Sequence, residues 1–182
     1  MNERKGRILY TSELFHYYIV REYEDNLFVD GGMQLRNGAK MLRNKGIALE
    51  RFHPYDVQKW LDKPSFRAYV TARALRIKAY RRVWSVDDMK NKLFNDGSPI
   101  IFGFKVWDSF MRNKRELVPM PDIQNEKYKG GHAVVIIGFD DKLKAFKIIN
   151  SWGVWWGNNG YAYIPYDYIR KYMLDAWTIE LY

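Results

Sequence analysis

A histidine and an asparagine 18 positions apart, His132 and Asn150, frame the most informative stretch of this 182-residue sequence, GGHAVVIIGFDDKLKAFKIINSWGVWWGNNGYAYIPY at 130–166. Two glycines precede His132 and a strand-like run follows it, which places the imidazole at the mouth of a sheet. Asn150 closes the next strand-like run, so an antiparallel hairpin can set the two side chains side by side. Asn150 then accepts a hydrogen bond from one ring nitrogen, fixes the tautomer and leaves the other nitrogen facing a nucleophile. Trp152 shields that bond from water, and a low local dielectric strengthens it. This is the chemistry of a general base held ready for an attacking group. A histidine at a strand start is by itself an ordinary structural residue, and His16 and His53 have no comparable setting; the pairing carries the argument.

The attacking group is the difficulty, because the sequence contains no cysteine. Disulfides, thiolate metal sites and a cysteine nucleophile within this sequence are excluded. No other motif points to a metal or cofactor, and none is expected. Hydrophobic residues make up 47% and aromatic residues 17%, with 7 Trp and 14 Tyr, which is ample material for a core and excludes general disorder. The N-terminal MNERKGRILY has no apolar core of a signal peptide and no run is long enough to cross a bilayer, so the sequence reads as a soluble protein, cytoplasmic or part of an assembled particle, with no membrane partner. The net charge is +9, and 67–82 (RAYVTARALRIKAYRR) holds five Arg and one Lys with no acid. Interleaved apolar residues make this a helix or strand with a solvated basic face. Nucleic acid is the sharper alternative for the same charge, unsupported by any recognition motif.

The elements that must position the pair read as helices first and strands afterwards. A helix near 12–24 has Leu14, Phe15, Tyr18 and Ile19 on one face, with Thr11 or Ser12 as its cap. A second follows, with Met33, Leu35, Ala39 and Leu42 inward and Gly46 closing it. A third is capped by Ser85, carries Asp87 and Asp88 in its first turn and stops at Gly97. PIIFGFKV, HAVVIIGFD, AFKIINSW, YAYIP and AWTIELY then read as strands, and 108–129 as a long surface loop. The expected class is α+β, a helical lobe at 1–98 packed on an antiparallel, partly closed, barrel-like β lobe at 99–182.

At this level of detail the sequence resembles the papain-like cysteine peptidases, especially their prokaryotic and viral-type members. GGHAVVIIGFD matches the strand that carries the family's catalytic histidine, and NSWGVWWGNNGY matches the segment that carries its orienting asparagine. YTSELFHYY, DGGMQLRNGAKMLRNKGIALERFHPYD, GSPIIFGFKV and IPYDYI…LDAWTIE resemble further family segments, so the likeness spans about residues 9–181. The resemblance implies that His132 is the general base, Asn150 its orienter and Trp152 the indole over the pair. It also implies that the backbone of Gly31 and Gly32, with Gly131, holds an extended peptide.

In the family the nucleophile precedes the histidine and asparagine by about 130–150 residues. Counting back from His132 reaches Met1 or earlier, so the resemblance implies a papain-like unit truncated at the N-terminus, without the Cys-bearing helix and the oxyanion-hole glutamine. Thr11 and Ser12 align with a later helix and are not substitutes. The first reading is therefore a catalytically inactive pseudopeptidase that acts as a binding or structural subunit of a larger assembly such as a virus particle. NSWGVWWG would then persist for packing, with Trp152, Trp155 and Trp156 buried. The alternative is the large fragment of an active peptidase whose Cys-bearing segment is on a separate chain. The expected partner is a protein, or a second copy, that covers the groove left by the absent helix.

Overall fold

The structure, a computed structural model, describes residues 9–182; the basic stretch at 1–8 lies outside the described residues. The chain forms two compact units, Met1–Tyr80 with Glu180–Tyr182, and Arg81–Ile179.

The first unit is helical. Helix α1 (Glu13–Tyr23) starts where expected: the buried Ser12 accepts the Phe15 N–H at 3.0 Å, and Leu14, Phe15, Tyr18 and Ile19 are buried. Helix α2 (Leu35–Asn44) begins two residues after Met33, which is exposed; Ala39 and Met41, rather than Met33, are its buried apolar side chains. The late start is the reason, since residues before a helix have no fixed place on its face. Gly46 closes the helix at φ +82°, and a Cβ there would lie 1.9 Å from the Ala72 carbonyl oxygen, so no other residue fits. Helix α3 (Phe66–Ala72), capped by Ser65, forms the first part of the basic run, for which a helix or a strand was expected; it gives Ala68 and Ala72 to a small core around Phe15, Tyr18 and Met41.

Strand β1 (Ala79–Arg82) ends the basic run, and Arg67, Arg73, Arg76, Arg81 and Arg82 are all exposed, as a solvated basic face requires. Helix α4 (Val86–Asn95) has Ser85 accepting the Asp88 N–H at 3.1 Å. Then come β2 (Ile100–Trp107), the short α5 (Asp108–Met111), β3 (Tyr128–Asp140), β4 (Ala145–Ile149), β5 (Tyr161–Pro165), α6 (Tyr166–Tyr172) and β6 (Met173–Glu180). The strand order is β1-β6-β2-β3-β4-β5, antiparallel through β6, β2, β3, β4 and β5. β1 and β5 stand at the two ends of this six-stranded order.

Two boundaries differ from the sequence expectation. The units divide after residue 80 rather than 98, because Val86 and Met89 of α4 belong to the core of the sheet unit with Phe102, Phe104, Ile136 and Ile148. The segment 108–129 is not simply a surface loop: it contains α5, buries Val118 and donates the Val118 N–H to the Tyr163 carbonyl at 2.8 Å. A polar, proline-containing segment thereby covers the edge of β5.

Candidate active site

His132 is the fifth residue of β3, opposite Phe104 of β2, and not at the strand's start; the strand reaches back to Tyr128 because β2 supplies partners for Gly130 and Gly131. Asn150 is the residue immediately after β4, where its N–H donates to the Gly160 carbonyl at 2.9 Å. The β3–β4 register, with Val135 opposite Ile149, carries the two side chains to one end of the hairpin.

There His132 Nε2 and Asn150 Oδ1 are 2.9 Å apart. The same Oδ1 accepts the Ser151 N–H at 2.8 Å, which identifies that atom as the carbonyl oxygen. An oxygen that only accepts requires His132 to donate from Nε2. The neutral ring is therefore the Nε2–H tautomer, with its lone pair on Nδ1. Asn150 is buried, and its Nδ2 has no partner among the described residues. Burial lowers the pKa of His132, and the hydrogen bond to Asn150 opposes that shift. The ring is thus biased toward its neutral, proton-accepting form.

Aromatic rings hold the imidazole in place. The Trp152 ring lies 4.3 Å from it, centroid to centroid and tilted by 30°, with Phe110 at 5.8 Å and Phe104 at 6.2 Å. Trp152 is held in turn edge-on against Trp156, whose indole N–H donates to the Phe110 carbonyl at 2.8 Å. Gly157, at φ +60°, permits this turn: a Cβ would come 2.3 Å from the Tyr161 carbonyl oxygen.

Of the three tryptophans expected to be buried, only Trp156 is. Trp152 is half-buried, and Trp155 is 84% exposed, because successive residues of a tight loop cannot all point into one core. Gly131 lies beside His132 in β3, opposite Lys105. Gly31 and Gly32 belong to the first unit, in the exposed segment before α2, with Gly32 at φ +81°. The structure thus brings together His132, Asn150, Trp152 and Gly131. Phe104 and Phe110 were missed as walls of the site. Alternation along PIIFGFKV already puts Phe102 and Phe104 on one face, but only the β2–β3 register says that this face meets His132.

Among the described residues no group of three or more His, Asp or Glu side chains is arranged to hold a metal, and no helix is long and apolar enough to cross a membrane. The arrangement can take a proton at Nδ1 and return it. The group from which it would take that proton is not in this sequence, which has no cysteine.

The sequence profile of the family described as papain family cysteine protease matches residues 23–176. The chain belongs to that family. This papain-family chain is 37% identical, over 93% of its length, to an uncharacterized peptidase C1-like protein of Acanthamoeba polyphaga mimivirus. It is 27% identical over 74% of its length to mouse pro-cathepsin H. It spans 58% of the mimivirus protein and 40% of the cathepsin precursor. Among solved structures, xylellain, a cysteine protease from Xylella fastidiosa, superposes with a TM-score of 0.88 at 32% identity, covering 99% of this chain and 73% of xylellain.

Proposed function

We propose that His132, Asn150 and Trp152 are the base half of a papain-type cysteine-peptidase site, and that the thiol they serve comes from a polypeptide segment outside this sequence. One observation carries the reading: the Asn150 carbonyl, identified by the Ser151 N–H, takes the Nε2 proton and leaves Nδ1 as the free base. A packing role alone does not require that tautomer. In the proposed reaction Nδ1 takes the proton of the thiol, and the thiolate attacks the peptide carbonyl. The imidazolium then gives its proton to the departing amine, leaving an acyl-thioester for water to hydrolyse. Gly31, Gly32 and Gly131 would hold the extended substrate by backbone hydrogen bonds. The substrate class is a peptide, and this sequence alone cleaves none.

A second reading, a pseudopeptidase that serves as a binding or structural subunit, is favoured by a different observation. The Trp156–Phe110 hydrogen bond and the steric demand at Gly157 account for much of NSWGVWWG without catalysis. Exposed Phe94 and Trp155 offer contact surface for a protein partner or a second copy.

The test has two arms. The 182-residue chain is incubated with fluorogenic dipeptide amides and a thiol-directed epoxide; the expected result is no turnover and no labelling. The genomic sequence upstream of Met1 is then read, and any Cys-bearing segment it encodes is joined to the chain. Hydrolysis by the joined protein that is lost in His132→Ala supports the first reading. An inert joined protein, or no such segment, leaves the pseudopeptidase. Turnover by the 182-residue chain alone that vanishes in His132→Ala would sink both.

A further inference from the structure

The first unit carries two exposed patches of opposite charge that stay unpaired within the chain. From residue 63 to residue 86 there is no acid. Along α3 and the turn after it, Arg67, Arg73 and Arg76 are exposed, and none has an ion-pair partner among the described residues. Arg76 donates from Nε to the Arg73 carbonyl at 3.1 Å, which ties the end of the stripe to its own backbone. Large apolar side chains stand among these cations: Phe66 is 82% exposed, and Val70, one helical turn on, is 48% exposed.

From residue 22 to residue 35 the pattern is reversed, with four acids and no Lys or Arg. Two of the acids are engaged: Glu24 accepts the Gln34 N–H and the Asn37 side-chain amide, and Asp30 accepts the Tyr17 hydroxyl. Glu22 and Asp25 are exposed and have no ion-pair partner among the described residues, and Lys40 lies on the Tyr23 ring rather than on either acid. Phe28 follows them in the chain with its ring almost fully in solvent.

The two patches adjoin. Tyr69 of α3 packs edge-on against Phe15 of α1 at 5.4 Å, and burial, followed by the charge of Glu22, pushes the Tyr69 hydroxyl up to about 12. Glu22 therefore stands beside α3. A surface whose acidic and basic parts lie side by side is complementary to itself under a twofold rotation, acid over base and base over acid. A nucleic acid or an anionic membrane is negative throughout; it would meet Glu22 next to the arginines and leave that acid repelled.

We propose that a second copy of this chain docks here, the basic face of α3 on each copy lying against the acidic segment 22–25 of the other, with Phe66 and Val70 buried between them. Exposed aromatic and arginine side chains are the types enriched at such interfaces. The net charge of +9 on each copy does not forbid the contact. At about 0.15 M salt, charges are screened beyond about 8 Å, while pairs in contact persist. All the residues involved belong to the first unit, and the pairing depends on neither reading of the His132 site.

Sedimentation equilibrium on the whole 182-residue chain at about 0.15 M salt tests this. A concentration-dependent dimer with a Kd on the order of 10 µM is expected, as suits a small, charge-rich interface. Two variants reverse one patch each: Arg67→Glu with Arg73→Gln, and Glu22→Arg with Asp25→Asn, where asparagine keeps the left-handed backbone of Asp25 at φ 55°. Either variant alone should dimerise at least about tenfold more weakly, and an equal mixture of the two should recover the parent affinity, because each then offers the other the opposite charge. Phe66→Ser should weaken the dimer without changing any charge, which keeps the test decisive if one charge variant melts early. A parent that stays monomeric at about 100 µM, a dimer that no variant weakens, or weakened variants that do not recover on mixing overturns the proposal. A monomeric parent that binds anionic vesicles or an oligonucleotide through Arg67 and Arg73 overturns it too. No catalysis is measured, so its failure leaves both readings of the His132 site as they stand.

Discussion

The two units spend their buried volume differently. In the sheet unit a continuous core runs from Val83 to Ala176, built on stacked and edge-on rings such as Phe102, Phe104, Phe110 and Tyr168. In the helical unit the core is a small cluster, of which Ala48, Ala68 and Ala72 are members, supplemented by a buried arginine and by polar atoms without partners. Among the described residues, buried unpartnered side-chain atoms fall at His16, Arg21, Asn26, Glu50 and His53 in the first unit, but only at Ser109 and Asn150 in the second. Burying a polar atom without a hydrogen bond costs about 1–3 kcal/mol. His132 is therefore set in the better-satisfied unit. The unit with the glycine pair holds more of the buried unpartnered polar atoms.

The largest expected effect tests the aromatic core. Phe104→Ala removes a side chain with no exposed surface that contacts Phe102, Phe110 and Tyr168, and should cost about 3–5 kcal/mol in equilibrium denaturation. A loss below about 1 kcal/mol would mean that the sheet core is loosely packed and the contrast false. Next comes Arg21→Ala, which opens a cavity and leaves the Val29 and Trp60 carbonyls without their donor. A loss of about 2–4 kcal/mol is expected by urea melting. A more stable variant would show that the buried cation is a burden on its unit and not its rivet.

Acid should separate the units further. Burial pushes the His16 pKa from 6.5 down to about 4. Below pH 6.5 the unfolded chain takes up a proton that the folded chain refuses until about pH 4. The stability linked to His16 is thus complete above 6.5 and is lost as pH falls toward 4. Hydrogen exchange across that window should show α1 and α2 opening first, and His16→Gln should flatten the dependence. Unchanged protection of those helices would contradict the assignment of a neutral, buried His16.

Asn150→Ala should cost about 1 kcal/mol, since one hydrogen bond to His132 and one to Ser151 are lost while an unpartnered amide is also removed. Nitrogen NMR should find His132 protonated at Nε2 in the parent chain and with a still lower pKa in the variant, because the bond to Asn150 raises it. A mixture of tautomers in the parent would break the case for an oriented base. The smallest effect belongs to Trp155→Ala, within about 0.5 kcal/mol by thermal melting, as its ring is exposed. A larger loss would restore the burial that the sequence suggested for it.

Much of this protein was legible in the residues alone. Caps and stops gave α1 and α4, because Ser12, Ser85 and Gly97 act on backbone groups a few positions away. The period of the apolar residues gave β2 to β5 for the same local reason. The His132–Asn150 pair was legible because both lie on one hairpin, where spacing and register translate directly into proximity. Other features were not. The basic run at 67–82 could have been one element, and it became α3 and then β1 because Ala72 had to meet Gly46 and the chain had to reach the sheet. The tautomer of His132 depended on where the Ser151 N–H pointed. The rings around His132 depended on which strand lay beside β3, and an aromatic and acidic cavity in the first unit on residues from three separate segments, at 13–17, 30–33 and 55–60. Local sequence fixes hydrogen bonds and periodicity that close within a few residues; contacts between distant segments are set by the packing that brings them together, and in this chain those contacts define the walls around its chemistry.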